Sequence, residues 1–349
     1  MKISRRTFVS GLAASAAVGG FSAEAAPNRR FIWADLIHLG TRMWGSDGVC
    51  READEPSTAF SEDLQCEDAV WGRVMDRLAK SGANFVVIDI GEGLRYPSHP
   101  ELACKGAWAP EKLAKEVERL RGQGLHPVPK LNFSTMHDQW LGVYNRMVGT
   151  QKYYEVCRDV INDVCDVFGS AKLFHVGMDE ECMDQKRVFR GYGTFRDEDF
   201  WFHDLKFYAD VIEKRGKRTW MWSDLLGDWP KGYLSKCPKS IVQSVGYYRD
   251  LFNAEPPGNK DWFWRIRVEN MRLLSEHGFD QIPTGSTWMS DKCGNQFAKL
   301  VKWCDRELDP KHVYGYLQTS WEYLVPGRGE QKNMLAIDHM EQAIKERQS

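Results

Sequence analysis

The run LFHVGMDEE, Leu173 to Glu181, starts as an apolar strand and ends in three consecutive acids, Asp179, Glu180 and Glu181. Carboxylates crowded at the end of a buried segment disfavour one another's ionisation, which is a standard way to obtain a side chain that gives and takes protons. Asp179 and Glu180 are the candidate acid–base pair, and crowding by Asp179 is expected to raise the pKa of Glu180. Glu181 opens the polar run ECMDQKR and reads as a helix-start or solvated residue. His175 lies two residues before Gly177 and is expected to steady the strand end from within. Trp makes up 14 of the 349 residues; most will be packing, but flat indole faces also suit the apolar faces of pyranose rings.

Such side chains must be carried by repeated elements, and the chain supplies them. Strand-like runs are IWADLIHL (32–39), NFVVIDI (84–90), HPVPKLNF (126–133), KLFHVGM (172–178), RTWMWSD (218–224), SIVQSVG (240–246), FDQIPTGS (279–286) and VYGYLQTS (313–320). Between most of them lie stretches of helical period such as EDAVWGRVMDRLAKSG and YYEVCRDVINDVCDVFG, several closed by glycine at 82, 124, 169, 216 and 278. Eight βα units predict an α/β fold, a single-domain (β/α)8 TIM barrel over residues 26–349, with a less regular sixth unit. The competing architecture is a doubly wound open sheet, but no G-x-G-x-x-G follows the first strand.

In a barrel the site forms at the C-terminal strand ends. These hold Thr41, Arg42, Met43 and Trp44; Asp89, Glu92, Arg95 and Tyr96; Asn132, His137 and Asp138; then His175 with the acids. They continue with Trp222 and Asp224, Tyr247 and Tyr248, Thr287 and Trp288, and Gln318, Trp321 and Glu322. Taken singly, Asp89 reads as a loop cap, His137 and Asp138 as a solvated turn, and each Trp as packing. Together, acids, a few cations and tryptophans at one mouth have the composition of a carbohydrate pocket.

The first 25 residues read as an address: Arg5 and Arg6 in S-R-R-T-F, an Ala/Gly-rich apolar segment, and Ala23-Glu24-Ala25 before a cleavage point at Ala26. The pattern is that of the twin-arginine route for folded proteins, so work in the periplasm or outside the cell is expected, with no integral membrane segment after cleavage. A net charge of −2 gives no electrostatic reason to expect nucleic acid. The nine Cys include no C-x-x-C. Cys157 and Cys165 fit a buried helix face ~12 Å apart, which leaves Cys50 and Cys66 as the pair worth testing for a disulfide. No cofactor is implied, and oligomeric state is not legible.

FHVGMDEE resembles the strand-four signature H-x-G-G-D-E of the family 20 glycoside hydrolases, the β-N-acetylhexosaminidases. WMWSDLL is similar to that family's strand-five segment and GYLQTSWEY to its last strand; the likeness covers the barrel from about Phe31 to Leu324. Met178 departs from it, standing where the family usually has its second Gly. The resemblance implies exo-acting removal of terminal β-linked N-acetylhexosamine by retaining, substrate-assisted hydrolysis. Glu180 would be the acid and base, and Asp179 would orient the 2-acetamido group. It further implies Arg42 gripping sugar hydroxyls, Trp222, Trp288 and Trp321 walling the sugar, and His175, Asp224 and Glu322 on the binding side. Tyr247 or Tyr248 would supply a hydroxyl to the acetamido oxygen, Tyr247 being the one carried forward. Residue chemistry agrees in one respect: conventional retaining enzymes need two carboxylates ~5–5.5 Å apart across the bond. Neighbours such as Asp179 and Glu180 cannot straddle it, and strand seven ends without an acid.

Two other classes stay open. A metal-dependent hydrolase would want H-x-H on strand one, where only His38 is found. A sugar-binding barrel without turnover, or with altered specificity, is the other, and Met178 keeps it open.

Overall fold

The computed structural model describes residues 30–43, 61–181, 194, 196–252, 262–288 and 294–349. The expected leader with Arg5, Arg6 and the expected cleavage point at Ala26, together with Trp44 and Cys50, lies outside the described residues. Among the described residues, strands and α-helices alternate: β1 Ile32–His38, α1 Asp68–Ala79, β2 Phe85–Asp89, α2 Pro110–Gly122, β3 His126–Lys130, α3 Gln151–Phe168, β4 Leu173–His175, α4 Glu198–Lys214, β5 Arg218–Trp222, α5 Pro230–Lys236, β6 Val242–Ser244, α6 Trp262–Glu276, β7 Thr284–Ser286, α7 Gln296–Glu307, β8 Gly315–Thr319 and α8 Arg328–Gln348. All strand pairs are parallel, in the order β6-β5-β4-β3-β2-β1-β8-β7. The remaining seam is joined by parallel bridges Gln243 to Gln281 and Gly246 to Thr284. The result is a (β/α)8 barrel, as the strand spacing predicts.

Strand alternation sorts side chains into two cores. Ile32, Ala34, Leu36, Val87, Val128, Trp220 and Leu317 fill the barrel. Their odd-step neighbours Trp33, Ile37, Val86, Ile88, Phe174 and Met221 face the helices. Helix α3 shows the complementary logic: Tyr153, Val156, Cys157, Val160, Ile161, Val164, Cys165 and Phe168 are its buried face, at helical spacing. Each such side chain, fully buried, contributes roughly 1.5–3 kcal/mol. Thr150 caps α3 by accepting the Tyr153 N–H, and Cys157 and Cys165 are free core thiols, as their spacing predicts. Cys66 is likewise buried and free.

Continuing the inward parity toward the C-terminal end brings His38, Asp89, Lys130 and His175 into the barrel, all buried. Lys130 is ion-paired with Asp89, so the layer beneath the mouth is charged. No described helix is long and apolar enough to cross a membrane.

Candidate active site

The chain leaves β4 through an unusual turn. Gly177, Met178 and Glu180 have φ of 70°, 71° and 56°, and a left-handed angle costs a non-glycine residue about 1–2 kcal/mol. Asn132 holds the turn in place. Its Oδ1 accepts the N–H groups of Ser134 (3.0 Å) and Met178 (3.2 Å), while its Nδ2 donates to Asp179 Oδ1 at 2.9 Å. Gly177 is obligatory, because a Cβ there would meet Asn132 Oδ1 at 1.9 Å. Met178 keeps the backbone angle that glycine adopts most cheaply and points its side chain away from the mouth. It is fully buried in the layer between barrel and helices, its Sδ 3.9 Å from Arg196 Nη1.

Asp179 and Glu180 emerge together, with side chains 13% and 30% exposed, and both face His137. His137 Nε2 is 3.1 Å from Glu180 Oε2 and 3.5 Å from Asp179 Oδ2. Burial alone would strip the imidazole of its proton, but the charge of Asp179 and the hydrogen bond and charge of Glu180 hold its pKa up at about 9. At neutral pH His137 is therefore a cation that donates to Glu180. The expected rise of the Glu180 pKa is overturned. Burial does push it up, but the hydrogen bond and charge of His137, with Arg267, bring it below its ordinary value. Arg267, on α6, is ion-paired with Asp224. Burial nevertheless lifts Asp224 to about 6, Arg267 opposing and Asp179 and Glu180 adding to the rise.

Two tryptophans wall this mouth. The rings of Trp222 and Trp321 lie 5.8 Å apart, and Trp321 packs 5.7 Å from His38. His175 is fully buried between Trp220 and Trp222, and its Nδ1 accepts the Gly177 N–H at 3.0 Å. It therefore fixes the strand end and, as one of the expected sugar-binding residues, lies fully buried beneath the tryptophans rather than at the mouth; it is neutral because burial and Lys130 press its pKa well down. Trp288 follows β7, half-buried, its N–H donating to Ser286 Oγ at 3.0 Å. Glu322 is buried and held by Arg328 at 2.8 Å.

Several sequence expectations change. Tyr247 packs in the outer layer against Phe252 and Trp264 and donates to the Leu251 carbonyl. Tyr248 takes the inward side instead, its hydroxyl accepting Trp321 Nε1–H at 3.2 Å. Val245 and Tyr247 share the outward parity, which is the physical reason. The Arg42 guanidinium donates to the carbonyls of Ser61 (2.7 Å) and Glu62 (3.0 Å), bracing a loop. Glu92 accepts the backbone N–H groups of Thr41 (2.8 Å) and Arg42 (3.0 Å). Glu181 is not solvated: it is buried, ion-paired with Arg196 at 2.7 Å, and accepts the Thr135 N–H at 3.0 Å. His137 and Asp138 are buried too, rather than forming a solvated turn. Arg267 was not legible in the sequence, because it sits inside a helix 43 residues from its partner. Among the described residues, no group of three or more His, Cys, Asp or Glu side chains is disposed to hold a metal ion.

Fold and site together define a (β/α)8 barrel whose mouth carries adjacent carboxylates, a bridging histidine and tryptophan walls. No family model matches the sequence, and no curated protein sequence matches it. Solved structures do. A β-N-acetylhexosaminidase from Bacteroides fragilis NCTC 9343 superposes with a TM-score of 0.58 at 14% identity, over 89% of this chain and 65% of that one. The GH20 β-N-acetylhexosaminidase of Streptomyces coelicolor A3(2) gives 0.56 at 12% identity, over 88% and 64%. Dispersin B gives 0.54 at 14% identity, over 80% and 95%. At these identities the likeness establishes the fold, and the chain spans a little under two thirds of the first two proteins.

Proposed function

We propose that this protein is a glycoside hydrolase that removes terminal β-linked N-acetylhexosamine from a carbohydrate, exo-acting and with retention. The observation that carries the reading is the grouping of Asp179, Glu180 and His137 on one side of a tryptophan-walled mouth. Carboxylates so placed serve a substrate that brings its own nucleophile. The acetamido oxygen attacks C1 as the bond from C1 to the leaving oxygen breaks, and Glu180 gives that oxygen a proton. Asp179 accepts a hydrogen bond from the acetamido N–H and offsets the developing oxazolinium charge. Water then attacks C1, Glu180 takes its proton, and the acetamido group is restored. Because His137 holds a proton 3.1 Å from Glu180 in the free enzyme, that hydrogen bond supplies the acid form when substrate displaces water. Tyr248 replaces Tyr247 as the hydroxyl offered to the acetamido oxygen. The S-R-R-T-F pattern at Arg5 and Arg6 supports export by the twin-arginine route and work outside the cytoplasm; Arg5→Lys with Arg6→Lys should block export.

The test compares aryl β-glycosides with and without a 2-acetamido group. Hydrolysis of the acetamido sugar alone, abolished by Glu180→Gln and untouched by chelators, is the expected outcome; equal cleavage of both sinks substrate assistance. The low pKa of Glu180 and the engagement of Arg42 with Ser61 and Glu62 favour a second reading, a barrel that binds sugar without turnover. Saturable binding of N-acetylglucosamine with no hydrolysis would establish it.

A further inference from the structure

Behind the turn at Gly177 to Glu180 lies a fully buried arginine that touches neither catalytic carboxylate. Arg196 Nη1 donates to the Phe133 carbonyl at 3.1 Å and to Glu181 Oε1 at 2.7 Å. Its Nε is paired with Asp204 at 2.7 Å, and its Nη2 reaches the hydroxyls of Tyr208 (3.1 Å) and Tyr153 (3.3 Å). One guanidinium thus ties together the β3 loop, the β4 loop, α3 and α4. Glu181 Oε1 also accepts the Thr135 N–H. Two hydrogen bonds continue the clamp: His137 N–H donates to the Ser134 carbonyl at 2.9 Å, and Ser134 Oγ donates to the Asp179 carbonyl.

We propose that Arg196 is a positioning residue: through Glu181 and the backbone of residues 133–137 it sets the distance between His137 and the Asp179–Glu180 pair. The inference rests on the glycosidase reading for its kinetic consequence, but its geometry stands without it. A planar fork with five donors can serve this many partners, whereas an ammonium keeps the charge and loses the directions. Moving the imidazole away from Glu180 weakens the hydrogen bond by which it holds its proton. The other charged groups around it are Lys130 on β3, Asp138 beside it, and Asp224 with its partner Arg267 across the mouth.

Arg196→Lys tests this with two readouts. On an aryl N-acetyl-β-glucosaminide, kcat is expected to fall about 100-fold with KM changed less than about threefold, as for a catalytic group displaced by about 1 Å. By NMR, His137, assigned with His137→Gln, titrates near 9 in the parent and should lose its proton about tenfold more readily in the variant. A folded Arg196→Lys with parental kcat and an unchanged His137 titration overturns the proposal. Should Arg196→Lys fail to fold, Glu181→Gln is read in the same way. It keeps the acceptor for Thr135 and removes the charge that Arg196 grips, so about a tenfold fall in kcat is expected for one weakened charged hydrogen bond; parental values again overturn it. If the parent protein hydrolyses no acetamido sugar, the glycosidase reading fails, and the His137 titration alone decides the positioning role.

Discussion

Two buried arginines flank the same pair of acids and do different work. Arg196, behind the turn, is 4% exposed and has six partners spread over four segments. Arg267, at the mouth, is 9% exposed, is paired with Asp224, and acts on Glu180 and Tyr248 through its charge. The first organises geometry and the second sets potential. A guanidinium's role follows from how many of its directions the fold has already used.

The comparison breaks most easily through stability. Arg196→Ala leaves Glu181 and Asp204 buried without their cation and should cost roughly 3–5 kcal/mol in urea denaturation; a loss below about 1 kcal/mol would place Arg196 with Arg267 rather than opposite it.

Next comes pH. The pKa of His137 is raised from 6.5 to about 9 on folding, so its stabilisation is fully present below 6.5 and is lost as pH rises through about 9. Asp138, raised from 3.8 to about 8, works in the same direction: the folded state loses ground as pH passes that window. The effect of His137 alone amounts to up to about 3 kcal/mol. The urea midpoint should therefore be lower at alkaline pH than near neutrality, and His137→Gln should flatten most of the difference.

Arg267→Met should change stability less and electrostatics more. Removing that charge raises the pKa of Asp224 above its value of about 6 and raises that of Glu180. The alkaline limb of kcat/KM, where Glu180 loses the proton it must give, should consequently move upward, which a pH–rate profile measures. An unmoved limb would mean that Arg267 is structural after all. The smallest effect belongs to Met178→Gly: the turn is relieved of strain, apolar packing is lost, and kcat should stay within about twofold because the side chain faces away from the mouth. A larger drop would return Met178 to the pocket.

What was readable in the sequence follows from range. Strand parity and helical period are local, so all eight βα units and the buried face of α3 could be read directly. The strand-end acids were legible for the same reason, since a barrel delivers strand ends to one mouth. Tyr247 and Tyr248 were not separable, because the choice turns on the register three to four residues past β6. The charge on Glu180 was misjudged because Asp179, its neighbour in sequence, is visible there, while His137 lies 43 residues away. Arg196 and Arg267 left no sequence signal: a cation inside or before a helix is ordinary until its partners are known.

The turn at Gly177 and Met178 shows what short motifs record. Asn132 accepts the Met178 N–H and would collide with any Cβ at position 177. Position 177 therefore requires the letter G, whereas position 178 requires only a dihedral angle and room on the far side. A pattern that writes both as glycine merges a steric prohibition with a conformational preference. Barrels that satisfy the second by packing a side chain outward would pass unseen by such a pattern, and this chain is built as one of them.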